Sequence, residues 1–191
     1  MIEIQHLSMT ELEAGMEHIQ QSPKDSGLVR MIVRRPRDDE REVVESAELD
    51  LAEGMVGDNW KRRGSKHMPD GSANPDAQIT VMNARTIELV AQEPERWCLA
   101  GDQLYIDMDL SDENLPAGTR LAIGSAVIEV TAQPHTGCRK FSDRFGVDAM
   151  KFVNSPEGKR LRLRGINTRV VQGGFLRAGD VVKKLNGTIS G

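Results

Sequence analysis

Cys138 lies in the run Thr131-Ala-Gln-Pro-His-Thr-Gly-Cys-Arg-Lys-Phe141, with His135 three residues before it and Arg139, Lys140 and Arg144 after it. Fixed positive charge beside a thiol favours the thiolate, which is both a nucleophile and a soft-metal ligand. A cysteine that only fills space usually has apolar neighbours, as Cys98 has in Trp97 and Leu99. The polar, basic, glycine-containing flanks of Cys138 point to chemistry instead.

Three chemistries fit these residue types. A zinc site built on His135 and Cys138 would need Cys98, His67 or an acid to complete it, and none of these has the usual paired spacing. A hydrolase would use Cys138 to attack, His135 as base and Asp143 or Asp148 to orient it. That window is short for a triad, and no signature of a nucleophile at a helix N-terminus surrounds the cysteine. Anion binding has more behind it. Arg160, Arg162 and Arg164 alternate along what reads as an extended strand, which would put three guanidiniums on one face. Arginine forks match phosphate oxygens bidentately. The competing reading is that the basic residues pair with an acidic stretch, Asp38 to Asp58, in which nine acids accompany the single base Arg41.

The elements that must position these residues are mostly strands. Ser8-Met-Thr-Glu11 fits a capping box, and a short helix should end near Ser22-Pro23. β-like segments then cover Leu28–Val33, Val43–Leu49, Gln78–Met82, Leu104–Met108, Arg120–Ile123 and Ala126–Val130. Ile166–Val171 and Val181–Leu185 finish the chain in a hairpin-like pattern. Helices are expected from Asn83 to about Glu93 and from about Asp143 to Val153, where Phe145, Ala149 and Phe152 fall near one face. Lys61–Ala77 is a long loop rich in Gly, Pro, Ser and Asn. Glu53-Gly-Met-Val-Gly-Asp58 is a turn, in which Asp58 reads as a turn former rather than a reacting group. The fold class is mainly β with a few helices (α+β), with an N-terminal helical extension over 1–26 and one barrel-like domain over 27–187. A Rossmann fold is disfavoured, because GxGxxG and regular strand–helix alternation are both missing.

The composition excludes several classes. The net charge is −4 and aromatic residues are few, so nucleic acid is a poor partner. No apolar run approaches the roughly 20 residues of a membrane helix. Met1-Ile-Glu-Ile-Gln-His6 lacks the basic start and apolar stretch of an export signal, which favours a cytoplasmic location. Two cysteines without a CxxC do not make a disulfide framework. The bases Arg139 to Arg164 outnumber the acids there by eight to three, which gathers positive potential after Cys138.

Taken in order, these pieces resemble the MOSC family, the domain named after the C-terminal part of molybdenum-cofactor sulfurases. They are the strand leading into Arg34-Arg-Pro-Arg37, the Glu53–Asp58 turn, Leu121–Val130, the cysteine, Arg164-Gly-Ile-Asn-Thr-Arg-Val-Val-Gln-Gly-Gly174 and Ala178-Gly-Asp180. The resemblance implies a β-barrel similar to the pyruvate kinase barrel domain. It also implies that Cys138 ligates the molybdenum of a pterin cofactor (molybdopterin), in a molybdenum-dependent oxidoreductase that reduces N-hydroxylated small molecules. Arg139, Lys140, Arg144, Arg160, Arg162 and Arg164, with Arg34 and Arg35, would contact the cofactor's anion, and His135 would donate a proton or tune the thiolate. The alternative is a non-catalytic module, either a sulfur carrier holding a persulfide on Cys138 or one that delivers the cofactor. The implied partners are a small-molecule substrate and either an electron-donor protein or a cysteine desulfurase, with no nucleic acid, no membrane and no pyridoxal phosphate on this chain. One departure stands out: many relatives carry a P-R-x-P-C-type pattern where this chain has Pro134-His-Thr-Gly-Cys138.

Overall fold

The computed structural model describes residues 5–186; residues 1–4 and 187–191, with the expected domain end at 187, lie outside the described residues. The strands are β1 (Ser26–Arg34), β2 (Glu42–Val44), β3 (Ser46–Asp50), β4 (Gly54–Met55), β5 (Ile79–Asn83), β6 (Leu104–Asp107), β7 (Arg120–Ile123), β8 (Ala126–Val130), β9 (Ile166–Gln172), β10 (Gly174–Arg177) and β11 (Val181–Leu185). The helices are α1 (Met9–Ala14), α2 (Met16–Gln20), α3 (Trp60–Arg63), α4 (Ala84–Ala91), α5 (Arg139–Phe145), α6 (Val147–Asn154) and α7 (Pro156–Arg160). The order β11-β7-β8-β9-β5-β6-β1 closes into a barrel because β1 also pairs with β11. Every neighbour in the ring is antiparallel except the pair β5–β6. Between those two strands the chain forms α4 and a 3-10 segment, Pro94–Ala100. A small second sheet, β10-β3-β4, stands beside the barrel.

Strands β5 and β6 and the second half of β1 are buried on both faces and read as near-continuous apolar runs. Ile32, Val81, Leu104 and Ile106 point into the barrel core, while Val33, Met82 and Tyr105 face a second core under the helices. That second core is filled by Phe141, Phe145 and Phe152, and the N-terminal helices add Leu12 and Ile19 to it. Before β1, the described residues form α1 and α2, which pack against the outer face of the barrel through this core. Its capping box is present: Ser8 accepts from the Glu11 amide and Glu11 reaches back to Ser8.

Several expected elements take a different form. Val43–Leu49 is divided at Glu45 between β2, which pairs with β1, and β3 in the small sheet. β9 and β11 do not form a hairpin: β9 lies between β8 and β5, and β11 lies between β7 and β1. The helix expected from about Asp143 begins at Arg139 and is broken at Gly146, whose φ of 95° suits glycine. Arg160, Arg162 and Arg164 do not alternate on a strand. Arg160 ends α7, Arg162 sits in a turn with φ 51°, and Arg164 turns inward. The Ser155-Pro156 pair explains the difference. Pro156 occupies the first helical position and the Ser155 hydroxyl accepts from the Gly158 amide at 2.9 Å, a helix start that breaks any extended run.

Candidate functional site

The barrel mouth gathers basic side chains around the return into β6. Three consecutive carbonyls there each accept from an arginine of a different element. Arg144 of α5 donates to Leu99 O at 2.5 Å, Arg164 to Ala100 O at 2.9 Å, and Arg35, just after β1, to Gly101 O at 3.0 Å. Two buried carboxylates hold two of these arginines. Asp58 accepts from the Arg35 backbone amide, Nε and Nη2 and from the Trp60 amide, all at 2.9 Å. Asp102 accepts from Arg164 Nη1 at 2.6 Å on one oxygen and lies 2.7 Å from His135 Nε2 on the other. Burial raises the Asp102 pKa, but the Arg164 charge and His135 outweigh it and hold the group at about 2.

His135 comes from the segment between β8 and α5, which is pinned at several points. Asn167 donates to Gln133 O and Pro134 O, both at 3.1 Å, and Asn154 and Gly137 exchange two hydrogen bonds. Gly165, with φ 117°, makes room for the ring: a β-carbon there would lie 2.3 Å from Val81 O and 3.1 Å from His135 Cδ2. Burial and the Arg164 charge push the imidazole pKa down, against Asp102, so the ring is neutral at neutral pH. Arg164 also lies over the Phe141 ring, 5.1 Å from its centroid, with its Nε buried and unpartnered among the described residues. His135, Asn154, Lys159, Arg162, Arg164 and Asn167 line a cavity of about 420 Å³.

Cys138 is exposed and is not among the walls of that cavity. It occupies the N-cap position of α5, a placement its neighbours do not announce because its side chain makes no capping bond. Lys140 and Arg144 of α5 reach Asp39 at 3.1 and 3.4 Å, which ties this helix to the turn that also carries Arg41. The acidic stretch thus takes up some of the basic residues, as the competing sequence reading anticipated. Arg41 Nε is buried without a partner, and among the described residues neither Arg41 nor Arg63 has a carboxylate within ion-pair distance. Burial, then the charges of Arg144 and Arg35, push the Arg41 guanidinium below its ordinary pKa. Arg37, Asp38, Asn59, Arg62 and Arg63 line a second, shallower hollow of about 380 Å³, in which Asn59 Oδ1 is buried and unpartnered among the described residues.

The sequence-predicted residues divide into two sets. His135 and Arg164 meet at Asp102, and Lys140 and Arg144 meet at Asp39. Arg139 projects into solvent, 94% exposed. Arg160 pairs with Glu157 on its own helix, and Arg162 binds Asp112 and Leu115 O. Arg34 pairs with Glu42 at 2.7 Å, and Arg35 is held by Asp58 and Gly101 O. Arg34, Arg35, Arg160 and Arg162 are therefore held by protein partners rather than converging on one anion. Asp102, Arg41 and Arg63 escaped sequence reasoning. The partners of Asp102 lie 33 and 62 residues away in sequence. No group of three or more His, Cys, Asp or Glu among the described residues could hold a metal by itself.

The fold is shared with solved structures of low sequence identity. YuaD from Bacillus subtilis superposes with a TM-score of 0.58 at 15% identity, over 83% of this chain and 95% of that one. YiiM from Escherichia coli gives 0.52 at 19% identity over 84% and 71%, and YiiM from Geobacillus stearothermophilus gives 0.51 at 12% over 88% and 77%. No curated protein matches the chain. The profile of the MOSC domain matches residues 69–183, which include β5 to most of β11, His135, Cys138 and Arg164. A closed barrel of this type, matched by that profile over more than half its length, makes the chain a member of the MOSC domain family.

Proposed function

We propose that this MOSC domain binds a molybdenum-pterin cofactor at the barrel mouth, with the Cys138 thiolate as the one protein ligand to the metal. The observation that carries this reading is a pair of guanidiniums without an ion-pair partner: Arg41, near Arg144 of α5, and Arg63 have no carboxylate within ion-pair distance among the described residues, and Arg41 Nε is buried without an acceptor there although its Nη1 donates to Glu40 O. A phosphate would supply the missing acceptors, and arginine forks suit it. An exposed thiol that lacks companion ligands fits a metal that arrives already held by a cofactor. Arg41, Arg63, Arg144 and Lys140 would hold the anion, while Arg35 is kept in place by Asp58 and adds to the field. Bound there, the cofactor would supply two-electron redox chemistry, suited to reducing an N–O bond in a small N-hydroxylated substrate. An electron-donor protein would then be required as a partner.

The exposure of Cys138 outside the His135 cavity favours one second reading, a carrier that takes a persulfide and passes the sulfur to another protein. Elemental analysis separates the two. Protein purified from a host that makes molybdopterin should contain stoichiometric molybdenum, lost in Cys138→Ala and reduced in Arg41→Ala/Arg63→Ala. Metal-free protein that gains the mass of one sulfur on Cys138 after incubation with a cysteine desulfurase would instead establish the carrier. Full metal retention in Cys138→Ala would overturn both.

A further inference from the structure

We propose that the cavity at His135 is a binding site for a small, non-cationic molecule that donates an O–H or N–H hydrogen to the imidazole Nδ1, with Asp102 and Arg164 as positioning residues. The proposal follows from which nitrogen is committed. Asp102 is wholly buried, and its second oxygen is already held by Arg164. An ionised carboxylate can only accept, so the ring nitrogen 2.7 Å from its other oxygen must carry the hydrogen. That nitrogen is Nε2. In a neutral imidazole the remaining nitrogen, Nδ1, then has a free lone pair. Nδ1 has no protein partner among the described residues, yet it is not among the buried unpartnered atoms, so it is open to solvent. The depressed imidazole pKa keeps that lone pair available at neutral pH.

One further group on the cavity has the same polarity. Both Asn167 amide hydrogen bonds go to Gln133 O and Pro134 O, which leaves its carbonyl oxygen as a second acceptor without a protein partner among the described residues. The walls therefore offer acceptors to a donor-bearing guest. The charged groups on the cavity are Lys159, Arg162 and Arg164. Asp112 answers Arg162, while Lys159 has no ion-pair partner among the described residues, which disfavours a cationic guest. A volume near 420 Å³ suits a small molecule. The proposal does not rest on molybdenum: metal loading reports on Cys138, whereas the following measurements report on His135.

Nitrogen NMR of ¹⁵N-histidine-labelled protein at neutral pH reads the tautomer directly. His135 should show a protonated Nε2 and a bare, pyridine-type Nδ1; the opposite tautomer would overturn the proposal. Acetamide, which carries N–H donors, should shift the Nδ1 resonance in a saturable manner. N,N-dimethylacetamide, which has none, should bind about fivefold to tenfold more weakly, the effect of about one hydrogen bond. Equal responses, or no response to either compound, would also overturn it. Asp102→Asn should release the tautomer preference, which a purely structural role for His135 would not require. Should that variant fail to fold, His135→Gln, whose ring site is partly exposed, supplies the control and should lose the acetamide effect on neighbouring amide resonances.

Discussion

Two buried carboxylates at the barrel mouth, Asp58 and Asp102, each hold a nearly buried arginine and differ in their remaining partners. Asp58 fills its lone pairs with backbone amides as well as Arg35, so every contact serves to fix β1 against the turn leading into α3. Asp102 gives one oxygen to Arg164 and the other to an imidazole that borders a cavity. The same charge pair thus acts as a clamp in one place and as a mount for a titratable ring in the other. An acid–arginine pair does not reveal its role until its third partner is known.

The largest effect should come from the clamp. Asp58→Ala leaves Arg35 buried without its counter-charge and should cost about 3–5 kcal/mol of stability in urea unfolding. His135→Ala removes only the second partner of Asp102, which keeps Arg164, and should cost about 2 kcal/mol. Equal losses would erase the distinction. Acid should act next, through Asp102. Its folded pKa of about 2 lies below the ordinary 3.8, so its contribution of about 2 kcal/mol is complete above about pH 4 and disappears as the pH falls through about 2. His135 acts in the same direction at higher pH: its depressed folded pKa means that unfolding takes up a proton once the pH drops below about 6.5. Unfolding midpoints measured from pH 7 down to pH 2 should decline in those two stages, and a flat profile would refute the assignment. The smallest effect belongs to Cys138. Being exposed, it should tolerate Cys138→Ala within about 0.5 kcal/mol, so that any functional loss in this variant reports on chemistry rather than folding.

The barrel was legible in the sequence because its signals are local. Each of β1, β5, β6, β7, β8, β9 and β11 overlaps a segment of strand-like composition, and Gly124-Ser125 marks the β7–β8 turn. Partner choice was not local, so β9 and β11 looked like a hairpin until their true neighbours were seen. Arg160, Arg162 and Arg164 alternate like a strand, but the Ser155-Pro156 helix start upstream of them decides the local structure. Arg41 was hidden by the acids around it in sequence, although its neighbours in space include Arg144 and Arg35. Asp102 was out of reach for a simpler reason: a buried carboxylate is defined by its partners, and both lie far along the chain.

The odd number of strands in the ring explains why Asp102 stands where it does. If every neighbour in a closed ring ran in the opposite direction, orientations would alternate and the count would have to be even. A ring of seven must contain an odd number of like-directed neighbours, and here there is one, β5–β6. Two such strands cannot be joined by a tight turn, so the chain must leave one end of the barrel and travel back outside it before re-entering. Helix α4 and the segment Pro94–Ala100 are that journey, and Leu99 to Asp102 are its last steps before β6. The carboxylate that mounts the imidazole, and the three carbonyls that collect arginines, are thus by-products of parity: they occupy a stretch of chain that an even-stranded, fully alternating ring would never have needed.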